Sequence, residues 1–104
     1  MMNSIESQSD YQLLARDLAA LAHPVRLQIM RHLTERAACC NKDVVHRVGL
    51  AQSTVSQHLK VLVDSGLVIY AQDAQRSRYR VNPERMKALS AAFVAYAGDF
   101  CNGT

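Results

Sequence analysis

Several features that mark other protein classes are missing from this sequence. It has no tryptophan, only four glycines and two prolines, and no apolar run near the ~20 residues that a membrane span needs. So few turn residues argue against an all-β protein, and residues 1–10 lack the charged and then apolar pattern of a signal peptide. We therefore expect a cytoplasmic protein with no membrane partner. A chain of 104 residues holds one core and seldom builds a deep catalytic cleft, which disfavours an enzyme.

Acidic residues are outnumbered by basic ones. Twelve Lys and Arg stand against nine Asp and Glu, which gives a net charge of +3 and an isoelectric point near 9.0. Nine of the basic residues are Arg, whose guanidinium suits bidentate contacts with phosphate and guanine better than the lysine ammonium does. The balance is compatible with a nucleic-acid partner, although an excess this small is also common on an ordinary solvated surface.

Apolar residues recur at helical spacing through most of the chain, and turn residues mark where the helices end. His23-Pro24 separates the first two helices, because Pro is favoured in a first helical turn. Asn82-Pro83 begins the last helix in the same way, with Asn82 as the cap. The predicted segments are a flexible tail at 1–10, helices at 11–21, 24–35, 42–48, 52–64 and 83–101, and a short tail at 102–104.

A helix-turn-helix followed by a hairpin is predicted in the middle of the chain. The third and fourth helices are separated by a tight turn at Gly49, which supplies a positive φ at low cost. After Gly66 the period of the apolar residues changes from 3.6 to 2, which predicts strands at 67–71 and 78–81 around a polar turn. The fold class is therefore mainly α with a β-hairpin wing, in the order ααααββα. This is a winged helix-turn-helix domain over residues 11–101.

The polar face of the predicted fourth helix carries the strongest functional signal. Its side chains are short or bear amides, so they can approach base edges and phosphates closely. No acidic residue lies between Gly49 and Val63, and we expect none of the lysine–carboxylate pairs that support an ordinary solvated helix face. The predicted DNA contacts on this helix are Gln52, Ser53, Thr54, Ser56, Gln57 and Lys60. Arg76, Arg78 and Arg80 of the hairpin are predicted to contact phosphates and the minor groove, although arginine is also common on a soluble strand face.

Three parts of the sequence carry a family resemblance. Ser-Thr-Val-Ser-Gln-His-Leu-Lys-Val-Leu at 53–62 followed by Gly-Leu-Val, Ala-His-Pro-Val-Arg-Leu at 22–27, and the Arg-rich hairpin resemble the ArsR/SmtB family of bacterial winged-helix repressors. The resemblance covers about residues 11–101. It implies a homodimeric repressor that binds double-stranded, palindromic operator DNA and leaves it when a metal, metalloid or thiol-reactive signal arrives. One departure is Ala51, where many relatives have a capping Ser; the loss of the cap costs ~1 kcal/mol.

The cysteines are the predicted sensing residues. Cys39 and Cys40 are adjacent in a predicted break at 37–41, where both cannot be buried from one loop and a disulfide between them would be strained. Thiolates select soft ions, and arsenic-sensing members of the resembled family carry a cysteine pair near this position, usually as Cys-x-Cys. Cys101 in the last helix is a candidate third thiolate, from the same subunit or from the partner. We therefore expect no constitutive cofactor, with As(III), Sb(III) or another soft metal ion as inducer.

Other sensing chemistries stay open at this point. Persulfide-sensing relatives have one cysteine in the second helix, where this chain has Arg31, and one in the last helix, where Cys101 matches. The last helix has no His, so the zinc site that some relatives carry there is not expected, and His58 is expected to pack rather than bind a metal. A thiol-redox or persulfide response and a constitutive DNA-binding protein with idle thiols are the alternatives. An enzyme with a cysteine nucleophile is disfavoured, because the sequence shows neither an oxyanion site nor an acidic residue that would orient the base.

The terminal helices are predicted to pair two copies of the chain. A lone winged helix leaves their apolar stripes partly exposed, and pairing across a two-fold axis buries them. The alternative is that both stripes pack only within the subunit. The predicted interface residues are Tyr11, Leu14, Leu18, Leu21, Leu89, Phe93, Tyr96 and Phe100.

Overall fold

The structure, a computed structural model, describes residues 7–36, 39–74 and 76–101, without the side chains of Cys39, Asp73 and Arg76. Its elements are α1 (Gln8–Leu21), α2 (Pro24–Glu35), β1 (Cys39–Cys40), α3 (Asn41–Val48), α4 (Gln52–Asp64), β2 (Val68–Asp73), β3 (Arg76–Val81) and α5 (Pro83–Cys101). This arrangement confirms the predicted winged helix-turn-helix. None of the helices within the described ranges is both long and apolar enough to cross a membrane.

The first helix begins before the predicted position. Ser7 caps α1: its hydroxyl accepts a hydrogen bond from the Asp10 N–H at 3.1 Å, and the Asp10 carboxylate accepts one from the Ser7 N–H at 3.3 Å. This capping box draws residues 8–10 into the helix, so the tail predicted at 1–10 is wrong for these three positions. Apolar spacing alone overlooks such a polar signal. The remaining predicted tail residues, 1–6 and 102–104, lie outside the described residues.

A short strand occupies positions 39–40 of the break predicted at 37–41, Asn41 already belongs to α3, and positions 37–38 lie outside the described residues. Cys39 and Cys40 form β1, which pairs antiparallel with β3 so that Cys39 lies opposite Tyr79 and Cys40 opposite Arg78. β2 and β3 form the predicted antiparallel hairpin, and the sheet order is β1-β3-β2. A strand of two residues has no periodicity to read, so it was missed. The cysteine segment, Cys39–Cys40, is therefore part of the same sheet as the wing.

The core lies where α2, α3, α4 and β2 meet. Ile29, Val44 and the apolar face of α4 are fully buried there, as the helical spacing predicts, and Leu67 between α4 and β2 is fully buried as well. Burying these branched side chains supplies most of the free energy that holds the helices in place. Because α4 is anchored by its inner face, its polar face is fixed toward solvent.

Two arginines from the terminal helices hold the C-terminal end of α4. Arg85 of α5 donates from Nη2 to the Asp17 carboxylate at 2.7 Å and to the Ser65 carbonyl at 3.0 Å. Arg16 of α1 donates from Nη2 to the Asp64 carbonyl at 3.0 Å. Positive charge at a helix C-terminus satisfies carbonyls that have no partner within the helix. The orientation of α4 is therefore tied to the two terminal helices.

Candidate nucleic-acid interface

Helix α4 presents its polar face on the side away from the core. Its inner residues Val55, Leu59 and Leu62 are fully buried. Of the predicted DNA contacts on this helix, Gln52, Ser53, Gln57 and Lys60 are exposed, and Thr54 and Ser56 are half-buried. Ala51 makes no capping bond through its side chain, as the sequence predicts. The first-turn N–H groups of α4 therefore receive no side-chain acceptor from Ala51, and a helix start of this kind favours an anion such as a DNA phosphate.

Lys60 departs from the expectation that this face has no lysine–carboxylate pair. Its Nζ lies 3.1 Å from Asp64 Oδ2, four residues along the helix, and both side chains are largely exposed. The expectation was wrong because Asp64 stands one position beyond the acid-free stretch. Exposed pairs of this kind contribute about 0–1 kcal/mol, so a phosphate can replace Asp64 as the partner of Lys60.

The Ser56 hydroxyl is engaged from inside the protein. Asn41, the first residue of α3, donates from Nδ2 to Ser56 Oγ at 3.1 Å. Burial raises the pKa of the Tyr79 phenol in β3, and the side chain of Asn41 beside it lowers that pKa by a smaller amount. Sequence reasoning missed Asn41, because its only local signal is that it follows the two cysteines. It contacts both elements that are predicted to read DNA.

The wing places its arginines on one face of β3. Arg78 is half-buried and Arg80 is exposed, and the intervening Tyr79 packs against Tyr70 with ring centroids 5.2 Å apart. Side chains two residues apart in a strand share a face, so Arg78 and Arg80 lie opposite the tyrosine pair, as predicted. The Arg76 side chain lies outside the described part of the chain. A cationic strand next to a helix-turn-helix has the geometry needed to straddle phosphates.

Comparisons with known proteins identify the family. The sequence model of the arsR family of bacterial regulatory proteins matches residues 23–70, from the cap of α2 into β2. The nodulation protein NolR of Rhizobium meliloti is 33% identical over 94 residues, which cover 90% of this chain and 76% of NolR. The chain belongs to the ArsR family. It is thus a winged-helix transcriptional regulator and not an enzyme, as predicted.

Two further similarities bear on this ArsR-family protein. The arsenical resistance operon repressor of Bacillus subtilis strain 168 is 36% identical over 70 residues, which cover 67% of each chain. The solved homodimeric winged helix-turn-helix DNA-binding domain Mb0332 of Mycobacterium bovis, described as a possible ArsR-family transcriptional regulator, is 28% identical. Its TM-score is 0.71, and the similarity covers 90% of this chain and 88% of that one.

The cysteines of this ArsR-family protein lie in two separate places. Cys40 is partly buried in β1, and its thiol donates to Asp43 Oδ2 at 3.5 Å. Cys101 is exposed in the last turn of α5. Among the described residues, no three His, Cys, Asp or Glu side chains are grouped so that they could hold a metal ion. The predicted three-cysteine site is therefore not assembled by the described part of one subunit, and the Cys39 side chain lies outside that part.

A polar pocket lies between Cys40, α4 and the wing. Its volume is about 530 Å³. Gln52 at the start of α4 and Ser77 of the wing line this pocket together with Cys40. A group bound to the Cys40 thiol would therefore lie beside residues of the recognition helix and the wing at the same time.

The predicted interface residues of α1 and α5 differ in how exposed they are within one subunit. Leu14 and Leu89 are each only 5% exposed within one subunit, so they belong to the subunit core and leave nothing for a partner to cover. Leu18 and Leu21 are half-buried against that core. The exposed large apolar residues of α1 and α5 are Tyr11, Leu13, Phe93, Val94, Tyr96 and Phe100. Leu13 and Val94 were missed because they flank the stripes that were read from the sequence.

His58 packs inside the fold, as predicted. Its ring lies 4.4 Å from the ring of His23, centroid to centroid, and Arg26 Nη1 lies 3.1 Å from its Nδ1. Burial lowers the pKa of His58, and the charges of His23 and Arg26 lower it further. His32 is buried as well, and burial followed by the Arg47 charge lowers its pKa. Both histidines are therefore uncharged in the fold near neutral pH.

Proposed function

We propose that this chain is a homodimeric transcriptional repressor that leaves its operator when a thiophilic ion binds at the cysteine segment of β1. As(III) and Sb(III) are the first candidates for the ion. The carrying observation is that Cys40 pairs with the wing strand and lines a pocket with the start of the recognition helix. The similarity to an arsenical resistance operon repressor supports the same class of inducer.

DNA binding in this proposal uses α4 in the major groove and the wing on the flanking backbone. Gln52, Ser53 and Gln57 contact base edges, whereas Lys60 and the arginines of β3 contact phosphates. The operator is palindromic, because a symmetric dimer presents two α4 helices to half-sites about one DNA turn, ~34 Å, apart. A repressor of bacterial operators works in the cytoplasm, where the DNA lies.

Dimerisation in this proposal buries the exposed apolar side chains of α1 and α5. Phe100 is 70% exposed and Val94 is 64% exposed, which is unusual for such residues unless a partner covers them. The solved homodimeric domain that resembles this chain supports a dimer of the same kind. Each subunit then holds one recognition helix, whose C-terminal end is fixed by Arg85 to the helices that form the dimer.

The third thiolate comes from the other subunit. Within the described part of one subunit Cys101 and Cys40 do not join in a metal-binding group, and Cys101 directly follows the exposed Phe100 in α5. The half of α5 that pairs the subunits therefore also brings Cys101 toward the partner. Three thiolates match the trigonal coordination that As(III) prefers.

A second candidate signal is oxidation or persulfidation of the thiols. The observation that favours it is the exposed thiol of Cys101, because oxidant sensors need solvent access. A constitutive DNA-binding role with idle thiols predicts no response to either class of signal.

The test is fluorescence anisotropy of a labelled operator that carries the protein. As(III), Sb(III), Zn(II) and a persulfide donor are titrated separately at fixed salt, since protein–DNA affinity depends strongly on ionic strength. We expect As(III) and Sb(III) to release the operator and Zn(II) to leave it bound. Release by the persulfide donor alone would replace the metalloid mechanism with the redox one. No release by any of the four would favour constitutive binding.

A further inference from the structure

Asn41 lies at the junction of the cysteine segment and the two DNA-reading elements. It follows Cys40 directly in the chain and begins α3. Its Nδ2 donates to Ser56 Oγ of the recognition helix at 3.1 Å, and its side chain lies close enough to Tyr79 of the wing strand to lower the pKa of that phenol. One short amide thus contacts α4 and β3 from a position one peptide bond away from a candidate inducer ligand.

The amide of Asn41 is only half satisfied. Its Oδ1 is buried, and no hydrogen-bond donor reaches it among the residues that the structure describes. An amide oxygen accepts up to two hydrogen bonds, and a buried one without a donor loses the hydrogen bonds that it would make to water. The present position of Asn41 is therefore held by its donor side, through the bond to Ser56. A small displacement loses this bond, because a contact that grows from 3.1 Å by about half an ångström is no longer a hydrogen bond.

We propose that Asn41 is the positioning residue through which a ligand at Cys40 changes the recognition helix and the wing. The inference rests on the proposed function and names the path of its regulation. When an ion binds the sulfur, the thiol proton leaves, and the hydrogen bond from Cys40 Sγ to Asp43 in the first turn of α3 leaves with it. The backbone at 40–41 then follows the sulfur toward the ion. Asn41 moves with it and gives up Ser56, so α4 is no longer held in the geometry that fits DNA.

The first arm of the test needs no inducer. Operator affinity is measured by anisotropy for the wild type, Asn41→Ala, Ser56→Ala and the double variant. Losing one hydrogen bond that positions α4 should weaken operator binding about three- to tenfold in Asn41→Ala. In the Ser56→Ala background the same substitution should have less than about a twofold effect, since the two residues act as a unit. Independent, multiplicative effects would overturn the role of Asn41 in positioning α4.

The second arm measures inducer coupling. As(III) binding to the free protein is followed by the sulfur-to-arsenic ultraviolet absorbance, and operator affinity is measured with and without As(III). We expect Asn41→Ala to bind As(III) within about threefold of wild type, while the ratio of the two operator affinities falls from about ten- to a hundredfold to under threefold. Substituting a residue with a merely structural role would not leave As(III) affinity unchanged while removing the effect of As(III) on operator affinity. Lys42→Ala, which alters the next residue along the same pocket, is the matched control and should keep the wild-type ratio.

The outcomes separate the two claims. If As(III) releases the operator from wild type and Asn41→Ala equally, the proposed function stands and the transmitting role of Asn41 is wrong. If As(III) does not bind wild type, or binds without releasing DNA, the proposed function fails and the transmitting role fails with it. The first arm still decides in that case whether Asn41 positions the recognition helix.

Discussion

Among single substitutions of arginines that reach the surface, replacing Arg85 should destabilise the protein most. Its Nη2 lies 2.7 Å from Asp17 Oδ1, and the Asp17 side chain is only 2% exposed. Arg85→Met keeps much of the aliphatic contact but leaves the Asp17 carboxylate buried without its cation. Arg16→Met is the matched control, because Arg16 also bonds a carbonyl at the end of α4 but pairs with no buried carboxylate among the described residues.

The magnitude follows from burial. Removing one partner of a buried ion pair costs about 3–5 kcal/mol. Arg85 is itself 26% exposed at the side chain, so water can replace part of its interaction and the lower end of that range, ~3 kcal/mol, applies. For a domain of this size ~3 kcal/mol corresponds to a fall in Tm of about 12–24 °C. Arg16→Met, which loses one exposed hydrogen bond, should lose about 0.5–1.5 kcal/mol.

The assay is urea and thermal unfolding followed by circular dichroism, with all variants at one protein concentration, because a dimer's stability depends on concentration. Asp17→Asn added to Arg85→Met should recover part of the loss, since it removes the buried charge. A loss for Arg85→Met within 1 kcal/mol of that for Arg16→Met would refute the reasoning.

Three other predictions concern DNA, assembly and pH. Arg78→Ala should weaken specific and non-specific DNA binding about equally, and it should lower the slope of log affinity against log salt concentration by about one. Gln57→Ala should instead relax discrimination at one operator position by ~1–3 kcal/mol. Anisotropy at a series of salt concentrations, with operator and with random DNA, distinguishes the two effects. Phe93→Asp should give monomers with poor operator affinity, and sedimentation that shows an unaltered dimer would exclude this face of α5. Because the pKa values of His58 and His32 are lowered in the fold, the unfolded chain binds more protons. Stability should be full above pH ~6.5 and fall as the pH drops from there toward the lowered pKa values, and His58→Gln should flatten that fall in unfolding curves taken from pH 7.5 to 5.

The sequence predicted the helices most closely where turn residues mark their ends. The predicted bounds of α4 and α5 coincide with the observed Gln52–Asp64 and Pro83–Cys101, because each helix has a clear apolar period, Gly66 follows the end of α4 and Asn82-Pro83 marks the start of α5. The polar face of α4 could be predicted from the same period, since burying the apolar side of the helix exposes the opposite side.

The features that the sequence did not predict depend on contacts between distant residues. β1 exists through its pairing with β3 and has no pattern of its own. Leu14 and Phe93 look alike as members of apolar stripes, yet one fills the subunit core and the other is 43% exposed. Only packing separates them. Asn41 likewise takes its place in the site from Ser56, which lies fifteen positions away in the chain.

Release of the operator by a thiophilic ion at Cys40 is the step on which the proposed function depends. The most direct measurement is an As(III) titration of the operator complex by anisotropy, with wild type, Cys40→Ser and Cys101→Ser compared at pH 7.5. We expect Cys40→Ser to bind the operator as wild type does without being released, and Cys101→Ser to be released only at higher As(III) concentration or not at all. Release of Cys40→Ser at the wild-type As(III) concentration would show that the ion does not act through Cys40.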